Sequence, residues 1–281
     1  MSGSLYVVAT PLGNLGDMAP RAVETLKSVA LICAEDTRHS RKLCAQFGIA
    51  TPLVSLHDFN ERERQDDLLA RLAAGADLAL ISDAGTPLIS DPGYRLVRAV
   101  RRAGMPVYAV AGPSALTAAL SVAGLPTDRF VFEGFLPAQA AARRAHLGTL
   151  AGETRTLVFY ESPHRLAASL ADMAAVLGVE REAAVVREIT KRFEEGRLET
   201  LGSLSAWAAA GVRGECVIMV AGVPPSSGIG EEAVRVLTVL LGELPLRQAA
   251  SLASEITGVS RKALYAHALS LKGGEQDLDK E

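Results

Sequence analysis

Residues 78–93 read LALISDAGTPLISDPG, and this stretch decides the fold. Its first four residues are apolar and have the length and composition of a buried strand. The rest is a polar segment with glycine and proline, which is typical of a loop. Near its end Asp91 suits the N-cap of a helix and Pro92 the first helical position, so we predict a helix over 91–103. The stretch therefore predicts one strand–loop–helix unit of an α/β sheet.

The same unit recurs on both sides of this stretch. Short apolar runs rich in valine, isoleucine and leucine predict further strands at 5–9, 29–34 and 107–111. Helical patterns lie between and after them, at 20–28, 37–47, 61–74 and 114–122. This alternation predicts a mostly parallel sheet covered on both faces, in an N-terminal α/β domain over 1–124.

From 125 to 222 the predicted strands follow one another more closely. They lie at 130–135, 156–160, 183–188, 197–200 and 215–221. Helices are predicted at 138–150, 163–177 and 203–210. Because some strands have no helix between them, we expect a mixed sheet in this second α/β domain, with residues 124–127 as the hinge between the halves.

The C-terminal stretch differs in composition. Proline, glycine and serine at 223–230 predict a linker. Beyond it, helices are predicted at 231–241, 246–257 and 260–269, the last two joined by a tight turn at Gly258. This rhythm predicts a small helical, helix-turn-helix-like domain over 231–270. The polar residues 271–281 are expected to be a disordered tail.

Composition narrows the class of protein. The net charge of −3 argues against generic nucleic-acid binding, which uses a large positive excess. The spacing of Cys33, Cys44 and Cys216 fits neither a metal pair nor a disulfide framework, and the scattered histidines predict no metal site. No apolar run reaches about 18 residues, and no signal peptide is recognisable, so we expect a cytoplasmic enzyme without a membrane partner.

Four polar loops are predicted at the carboxyl ends of the N-terminal strands, where open α/β sheets bind ligands. They cover 10–17, 35–38, 82–93 and 111–115. The first is neither a G-x-G-x-x-G nor a Walker A loop, so dinucleotide and P-loop chemistry are not supported. The last opens a helix whose free N–H groups suit a carboxylate. The same residue types also form ordinary turns, so these residues alone do not identify a ligand.

Seven segments in a fixed order carry a resemblance to a known family. They are TPLGNLGD, EDTR, SLHDFNE, SDAGTPLISDPG, AGPSA, FYESPHR and GECVIMVAG, spread over residues 10–222. Together they resemble the tetrapyrrole-methylase superfamily. Within it they are similar to the ribosomal RNA small subunit methyltransferase I family, the cytidine 2′-O-methyltransferases of bacterial 16S rRNA. The resemblance implies two α/β domains of tetrapyrrole-methylase type, and the C-terminal helices match that family's short extra domain.

The resemblance also implies a cofactor and partners. The family binds S-adenosylmethionine (SAM) between two α/β domains of a homodimer and methylates a decoding-centre cytidine of 16S rRNA in the small ribosomal subunit. Carried over residue by residue, the resemblance gives the cofactor-binding set Pro11, Leu12, Asp83, Ala84, Gly85, Thr86, Ser114, Ala115 and Tyr160.

Other functions stay open beside this one. The nearest alternative is a tetrapyrrole-precursor or diphthine-type methyltransferase of the same superfamily. Tetrapyrrole methylases typically carry a GxGxGD-like loop after the first strand, whereas this chain has Pro11 where the first glycine would stand. Two rivals of other classes are a DNA-binding regulator that uses the C-terminal helices and a ligand-binding scaffold without turnover.

The catalytic base is not identified by the sequence. A protonated ribose hydroxyl is a poor nucleophile, so a nearby base or cation should assist methyl transfer. The main candidates are Glu35, Asp36, His57 and Glu61, and the segment ESPHR adds Glu161, His164 and Arg165. Structural roles, such as a capped helix start with its own ion pair, are the alternative for these residues.

Local cations are the candidate RNA contacts. They are Arg38, Arg165, Arg247, Arg261 and Lys262, with Tyr265 beside the last two on the predicted C-terminal helix. Each has a purely structural alternative. The residue would lie on a solvated helix face or, for the C-terminal set, on a helical hairpin that packs against the protein itself.

Overall fold

The structure is a computed structural model that describes residues 2–57, 59–224 and 230–275. Two compact units, Met1–Gly222 and Val223–Glu281, divide the chain. Part of the predicted linker, 225–229, and the end of the predicted tail, 276–281, lie outside the described residues. The two units are described separately below.

The first half of the N-terminal unit is a five-stranded sheet in which every pairing is parallel. Its strands are β1 (Leu5–Val8), β2 (Leu31–Ala34), β3 (Leu53–Ser55), β4 (Leu78–Ile81) and β5 (Val107–Val110), in the order β3-β2-β4-β1-β5. Its helices are α1 (Pro20–Ser28), α2 (Thr37–Gln46), α3 (Glu61–Ala73), α4 (Tyr94–Arg102) and α5 (Ala115–Val122). The predicted parallel sheet is thus confirmed. Strand β3 was not predicted, because three half-buried residues carry almost no periodic signal.

Helices cover both faces of this sheet, as the sequence predicted. Leu26 of α1 and Cys44 of α2 are buried in a core on one face. Leu68 of α3 and Leu96 of α4 are buried in a second core that includes residues of β1, β2 and β4. All four polar loops at the carboxyl ends of the strands are therefore held by a rigid three-layer body.

The second half is a mixed sheet, also as predicted. Its strands are β6 (Phe130–Phe135), β7 (Thr156–Glu161), β8 (Glu182–Arg187), β9 (Glu195–Thr200) and β10 (Cys216–Val220), in the order β6-β7-β10-β8-β9. Only the β6–β7 pairing is parallel among these described strands. Helices α6 (Ala140–Thr149), α7 (Pro163–Leu177) and α8 (Leu201–Ala209) accompany it. Ala119 and Leu120 of α5 share a core with Val158 and Met219, so α5 joins the two halves.

The predicted start of α4 at Asp91 is wrong, because the helix begins at Tyr94 and its N-cap is Gly93 with φ +118°. The preceding loop contains two left-handed residues, Leu88 and Ser90, so it is not helical. The side chain of Glu61 supplies the cap, since its carboxylate accepts a hydrogen bond of 2.8 Å from the Leu96 N–H. A long-range contact has taken over the role expected of Asp91.

The described residues of the C-terminal unit form three helices, α9 (Glu231–Glu243), α10 (Leu246–Thr257) and α11 (Arg261–Glu275). Small residues such as Ala249 and Ala253 pack with Leu237 and Leu264 in its core. Gly258 ends α10 in the left-handed conformation with φ +71°, which places the turn where the sequence predicted it. Helix α11 continues to Glu275, beyond the predicted start of the tail at residue 271.

Candidate cofactor-binding site

A cavity of about 420 Å³, here called the main cavity, opens at the carboxyl ends of β1, β4 and β5. Residues of the mixed sheet and of the loops beside it form its other wall. The lining includes these members of the predicted cofactor set: Leu12, Ala84, Gly85, Thr86, Ser114, Ala115 and Tyr160. This edge of an open α/β sheet is where ligands bind.

The other two predicted cofactor residues, Pro11 and Asp83, line a neighbouring cavity of about 600 Å³, here called the side cavity. The two cavities share Leu12, Ala84 and Glu215 as lining residues. Asp83 also accepts a hydrogen bond of 3.1 Å from the backbone N–H of Asp36. The predicted set therefore extends across two adjoining cavities.

Three loops of the main cavity are joined by hydrogen bonds to backbone atoms. Thr10 and Gly85 exchange two backbone hydrogen bonds of 2.9 and 3.0 Å. The Thr86 hydroxyl donates to the carbonyl of Pro113 over 2.9 Å. Gly85 has φ +79°, and a Cβ placed on it would lie 3.0 Å from Cδ2 of Leu12. Glycine is thus required both by conformation and by the close approach of the loops.

Tyr160 connects the second half of the unit to α5. Its phenol oxygen accepts a hydrogen bond of 3.1 Å from the Leu116 N–H in the first turn of α5. Its ring packs edge-on against Phe132 and Phe135, with ring centroids 4.9 and 5.7 Å away. Burial raises the pKa of Tyr160 above its ordinary value, so the phenol stays neutral and positions the cavity wall.

Asp91, which the sequence assigned to a helix cap, instead lines the main cavity. Burial raises the pKa of its carboxyl to about 6, and the neighbouring charge of Asp83 acts in the same direction. A hydrogen bond from Ser82 opposes the shift. The cavity therefore contains a carboxyl group that titrates close to neutral pH, where a bound cation would favour its ionised form.

Cys216 also lines the main cavity, but its thiol is not activated as a nucleophile. Burial raises the pKa of the thiol to about 12, and the sulfur donates to the carbonyl of Gly214 over 3.3 Å. A protonated thiol is a weak nucleophile, so covalent catalysis through Cys216 is not supported. The other two cysteines, Cys33 and Cys44, are buried in the apolar cores of the parallel sheet.

Charged residues that were not predicted lie where the cavities meet. The Glu215 carboxylate accepts a hydrogen bond of 2.6 Å from Nζ of Lys191 and remains 79% exposed. Lys191 also donates to Glu188 over 3.2 Å, and its pKa is raised by these two carboxylates despite partial burial. His39 and Lys42 line the side cavity with them. The segment GECVIMVAG contained Glu215, but only strand pairing brings residue 188 next to 215.

The four main candidates for the catalytic base lie elsewhere. None of Glu35, Asp36, His57 and Glu61 is among the described residues that line the two cavities. Asp36 caps α2 and forms an ion pair of 3.0 Å with Arg38, which lowers the pKa of the Asp36 carboxyl to about 2. Glu61 is buried and caps α4. These contacts fit structural roles for Asp36 and Glu61.

Of the three candidates in the segment ESPHR, one lies at the main cavity, which Ser162 and Pro163 of the same segment also line. Glu161 lines it but is buried, and it accepts hydrogen bonds from Ser169 and from the backbone of Ser162. Arg165 lies 3.4 Å from the Glu161 carboxylate and donates to the carbonyl of Leu136. His164 is exposed at the start of α7. The charge of Arg165 is therefore directed into the protein.

In the C-terminal unit, the predicted RNA-contact residues come together. Arg247, Arg261, Lys262 and Tyr265 line one surface depression of about 600 Å³. Helices α10 and α11 supply them from opposite sides of the turn at Gly258. The residues form one continuous basic face with an aromatic ring.

Two further properties concern partners. Among residues 2–57, 59–224 and 230–275, no group of histidine, cysteine and carboxylate side chains is arranged to hold a metal ion. Within the same residues, no helix has both the length and the apolar character needed to cross a membrane.

The two α/β halves with a cavity between them have the architecture of the tetrapyrrole methylases. The profile of the Tetrapyrrole (Corrin/Porphyrin) Methylases matches residues 4–205, and that of the RsmI C-terminal HTH domain matches residues 227–272. The ribosomal RNA small subunit methyltransferase I of Pseudomonas aeruginosa is 56% identical over 97% of this chain and 99% of its own length. The enzyme of that name from Escherichia coli O157:H7 is 50% identical over 96% of each chain. The chain belongs to the ribosomal RNA small subunit methyltransferase I family.

Solved structures agree on the fold at much lower identity. Uroporphyrin-III-C-methyltransferase from Thermus thermophilus superimposes with a TM-score of 0.54 at 20% identity, covering 78% of this chain and 94% of that one. A diphthine synthase gives a TM-score of 0.58 at 15% identity, covering 78% and 90%. These likenesses show the tetrapyrrole-methylase fold that the sequence predicted.

Proposed function

We propose that this protein transfers a methyl group from SAM to the ribose 2′-hydroxyl of a decoding-centre cytidine in 16S rRNA. The chain is a SAM-dependent methyltransferase of a family named for small-subunit ribosomal RNA. The observation that carries the proposal is the main cavity, because seven residues of the predicted cofactor set converge there. The alternative substrates, a tetrapyrrole precursor or diphthine, draw support from fold likeness alone.

The main cavity has the chemistry that SAM requires. Leu12, Ile89 and Val217 supply apolar walls for an adenine ring. Asp91 supplies a carboxylate that suits a sulfonium cation. The first turn of α5 follows its N-cap, Ser114, and carries the positive end of the helix dipole, which suits the carboxylate of the cofactor. The glycine at position 85 leaves room where a Cβ would fill the loop contact.

When bound, SAM supplies an electrophilic methyl group for in-line displacement by an oxygen nucleophile. The protein's main task is then to orient the hydroxyl, which contributes about 7–11 kcal/mol in favourable cases. Glu215 and Lys191 lie at the junction of the two cavities, so we propose that the ribose enters through the side cavity. There Glu215 accepts a hydrogen bond from the hydroxyl and Lys191 holds the carboxylate in place.

The wider setting follows from the substrate. We propose that the basic face formed by Arg247, Arg261 and Lys262 contacts RNA phosphates, because its cations lie on one surface. A homodimer and a cytoplasmic location are part of the same proposal. The first rests on the family resemblance and the second on the ribosomal substrate.

The test begins with cofactor binding. Ser114→Trp places an indole in the main cavity, whereas Thr117→Trp places it on the exposed side of the same helix. We expect the SAM dissociation constant to rise at least about 100-fold in the first variant and to stay unchanged in the second, measured by calorimetry. Equal affinities in the two variants would contradict the assignment of the cavity.

The second step locates the methyl group. Small ribosomal subunits that lack the modification are incubated with protein and SAM labelled on its methyl group, and the RNA is then digested to nucleosides. We expect the label on the 2′-oxygen of a cytidine. Cofactor binding without transfer to ribosomal RNA would redirect the assignment to the tetrapyrrole or diphthine alternative.

A further inference from the structure

A groove between α3 and α4 carries an unbalanced cluster of arginines. Arg62 of α3 and Arg95, Arg98 and Arg102 of α4 line one open depression of about 600 Å³, here called the arginine groove. All four side chains are exposed. They carry four positive charges on a protein whose net charge is −3. Neither the cofactor site nor the C-terminal basic face includes any of them.

These arginines lack carboxylate partners in the part of the chain that the structure describes. Several other surface arginines are paired, such as Arg71 with Asp67 at 3.0 Å and Arg155 with Glu153 at 2.6 Å. What sets the groove apart is that four unpaired arginines line one depression. Among the described residues, the one side-chain interaction of these four is that of Arg98 with the ring of Tyr94, 5.9 Å from its centroid. Because like charges close together repel, an unpaired cluster costs stability unless an anion binds to it.

The groove is also held in a fixed geometry. The buried carboxylate of Glu61 binds the Leu96 N–H, which fastens the start of α3 to the start of α4. Beneath the groove, Leu68, Leu72 and Val100 pack in one core. Arg95, Arg98 and Arg102 are three and four residues apart, so they project from one face of α4 at intervals of about one helical turn, or about 5 Å.

We propose that the arginine groove binds the phosphate backbone of the RNA substrate. Guanidinium groups match phosphate oxygens in bidentate geometry, and a row of them on a rigid face suits a polymer with regularly spaced charges. Such contacts set the position of the RNA without reading its sequence. This inference rests on the proposed function, since it names a surface that presents the RNA to the active site.

The test compares two double variants that each remove two positive charges. Arg98→Gln/Arg102→Gln removes two of the four arginines of the groove. Arg21→Gln/Lys27→Gln removes two exposed cations from α1, on the opposite face of the sheet. Binding to deproteinised small-subunit RNA is measured from about 50 to 200 mM salt. Methyl transfer to small subunits is measured in parallel.

The groove variant is expected to bind RNA about tenfold more weakly, with the slope of log affinity against log salt reduced by about 1.5. Its KM for subunits rises, while kcat and SAM affinity stay at wild-type values. The control keeps the wild-type slope. A groove variant that behaves like the control overturns the inference. So does a higher KM for intact subunits with unchanged binding to free RNA, which indicates a protein contact.

Failure of the proposed function has a different signature. In that case the wild-type protein binds SAM but transfers no methyl group to small subunits. The RNA-binding comparison still decides whether the groove is an RNA surface. The two outcomes are therefore read from separate measurements on the same proteins.

Discussion

The main cavity and the arginine groove lie on the same unit of the protein, but they differ in whether their polar side chains have partners within the protein. In the main cavity the polar groups have partners within the protein, as the bonds of Thr86 to Pro113 and of Leu116 to Tyr160 show. In the groove, Arg98 and Arg102 are exposed and lack ion pairs among the described residues. A site for a small molecule is preorganised by its own contacts, whereas a surface for a polyanion keeps its charges available.

The largest effect is expected from closing the main cavity at Gly85. Gly85→Val forces a branched side chain into a left-handed position with φ +79° and against Leu12. We expect a rise in the SAM dissociation constant of at least about 100-fold. Calorimetry with purified protein measures it directly.

Gly104→Val is the matched control for this substitution. Gly104 also has a positive φ, +71°, but nothing lies within 4 Å of a Cβ placed there. It should therefore lose about 1–2 kcal/mol of stability through backbone strain and keep its affinity for SAM. If both variants lose affinity equally, strain in the protein rather than closure of the cavity is responsible.

A smaller effect is expected from Asp91, the titratable group of the cavity. Asp91→Asn removes a carboxylate that favours the sulfonium cation, so we expect SAM affinity at pH 7.5 to fall about tenfold. Wild-type affinity should decrease as the pH falls below about 6, where the carboxyl gains its proton, and the variant should lack this dependence. S-adenosylhomocysteine has no positive sulfur, so its affinity should change little in either protein. If the SAM affinities of the two proteins changed in parallel with pH, the Asp91 carboxylate would not contribute to SAM binding.

The same substitution has a consequence for stability. The pKa of Asp91 is about 6 in the folded protein, against 3.8 ordinarily, so folding disfavours its ionised form. Above pH 6, Asp91→Asn should therefore raise the melting temperature, because the disfavoured charge is removed. The rise should be small, since solvent screens a half-buried carboxyl. The gain should shrink as the pH falls from about 6 towards 4, since the wild-type carboxyl is then neutral in the folded state. Cofactor affinity and stability would change in opposite directions.

Much of this architecture could be predicted from the sequence, because it depends on local patterns. The alternation of apolar runs and helical periods indicated the parallel sheet, and the turn at Gly258 indicated the C-terminal hairpin. The start of α4 could not be predicted, since its cap comes from Glu61, 35 positions away. The junction of Glu215 with Lys191 was missed for a similar reason. It exists because antiparallel pairing of β8 and β10 brings two separate loops together.

The smallest effect is expected from Arg38, which separates paired from unpaired arginines. Its side chain is 87% exposed, like those of the groove, but it forms an ion pair of 3.0 Å with Asp36. Because this charge is already balanced, Arg38→Gln should change the KM for small subunits by less than about twofold and the salt slope by less than about 0.5. Titration of RNA binding with salt measures the slope.

Releasing Arg38 from its partner sharpens the comparison further. Asp36→Asn keeps an oxygen that can cap α2, as the Asp36 carboxylate does through the Arg38 N–H at 2.8 Å, and removes only the charge. If pairing is what keeps Arg38 from RNA, this variant should bind RNA a few-fold more tightly, with the slope increased by about 0.8. A fall in kcat at unchanged RNA affinity would instead return Asp36 to the role of catalytic base. If Arg38→Gln changed the salt slope by as much as half the change in Arg98→Gln/Arg102→Gln, exposure rather than the lack of a partner would select the arginines that hold RNA.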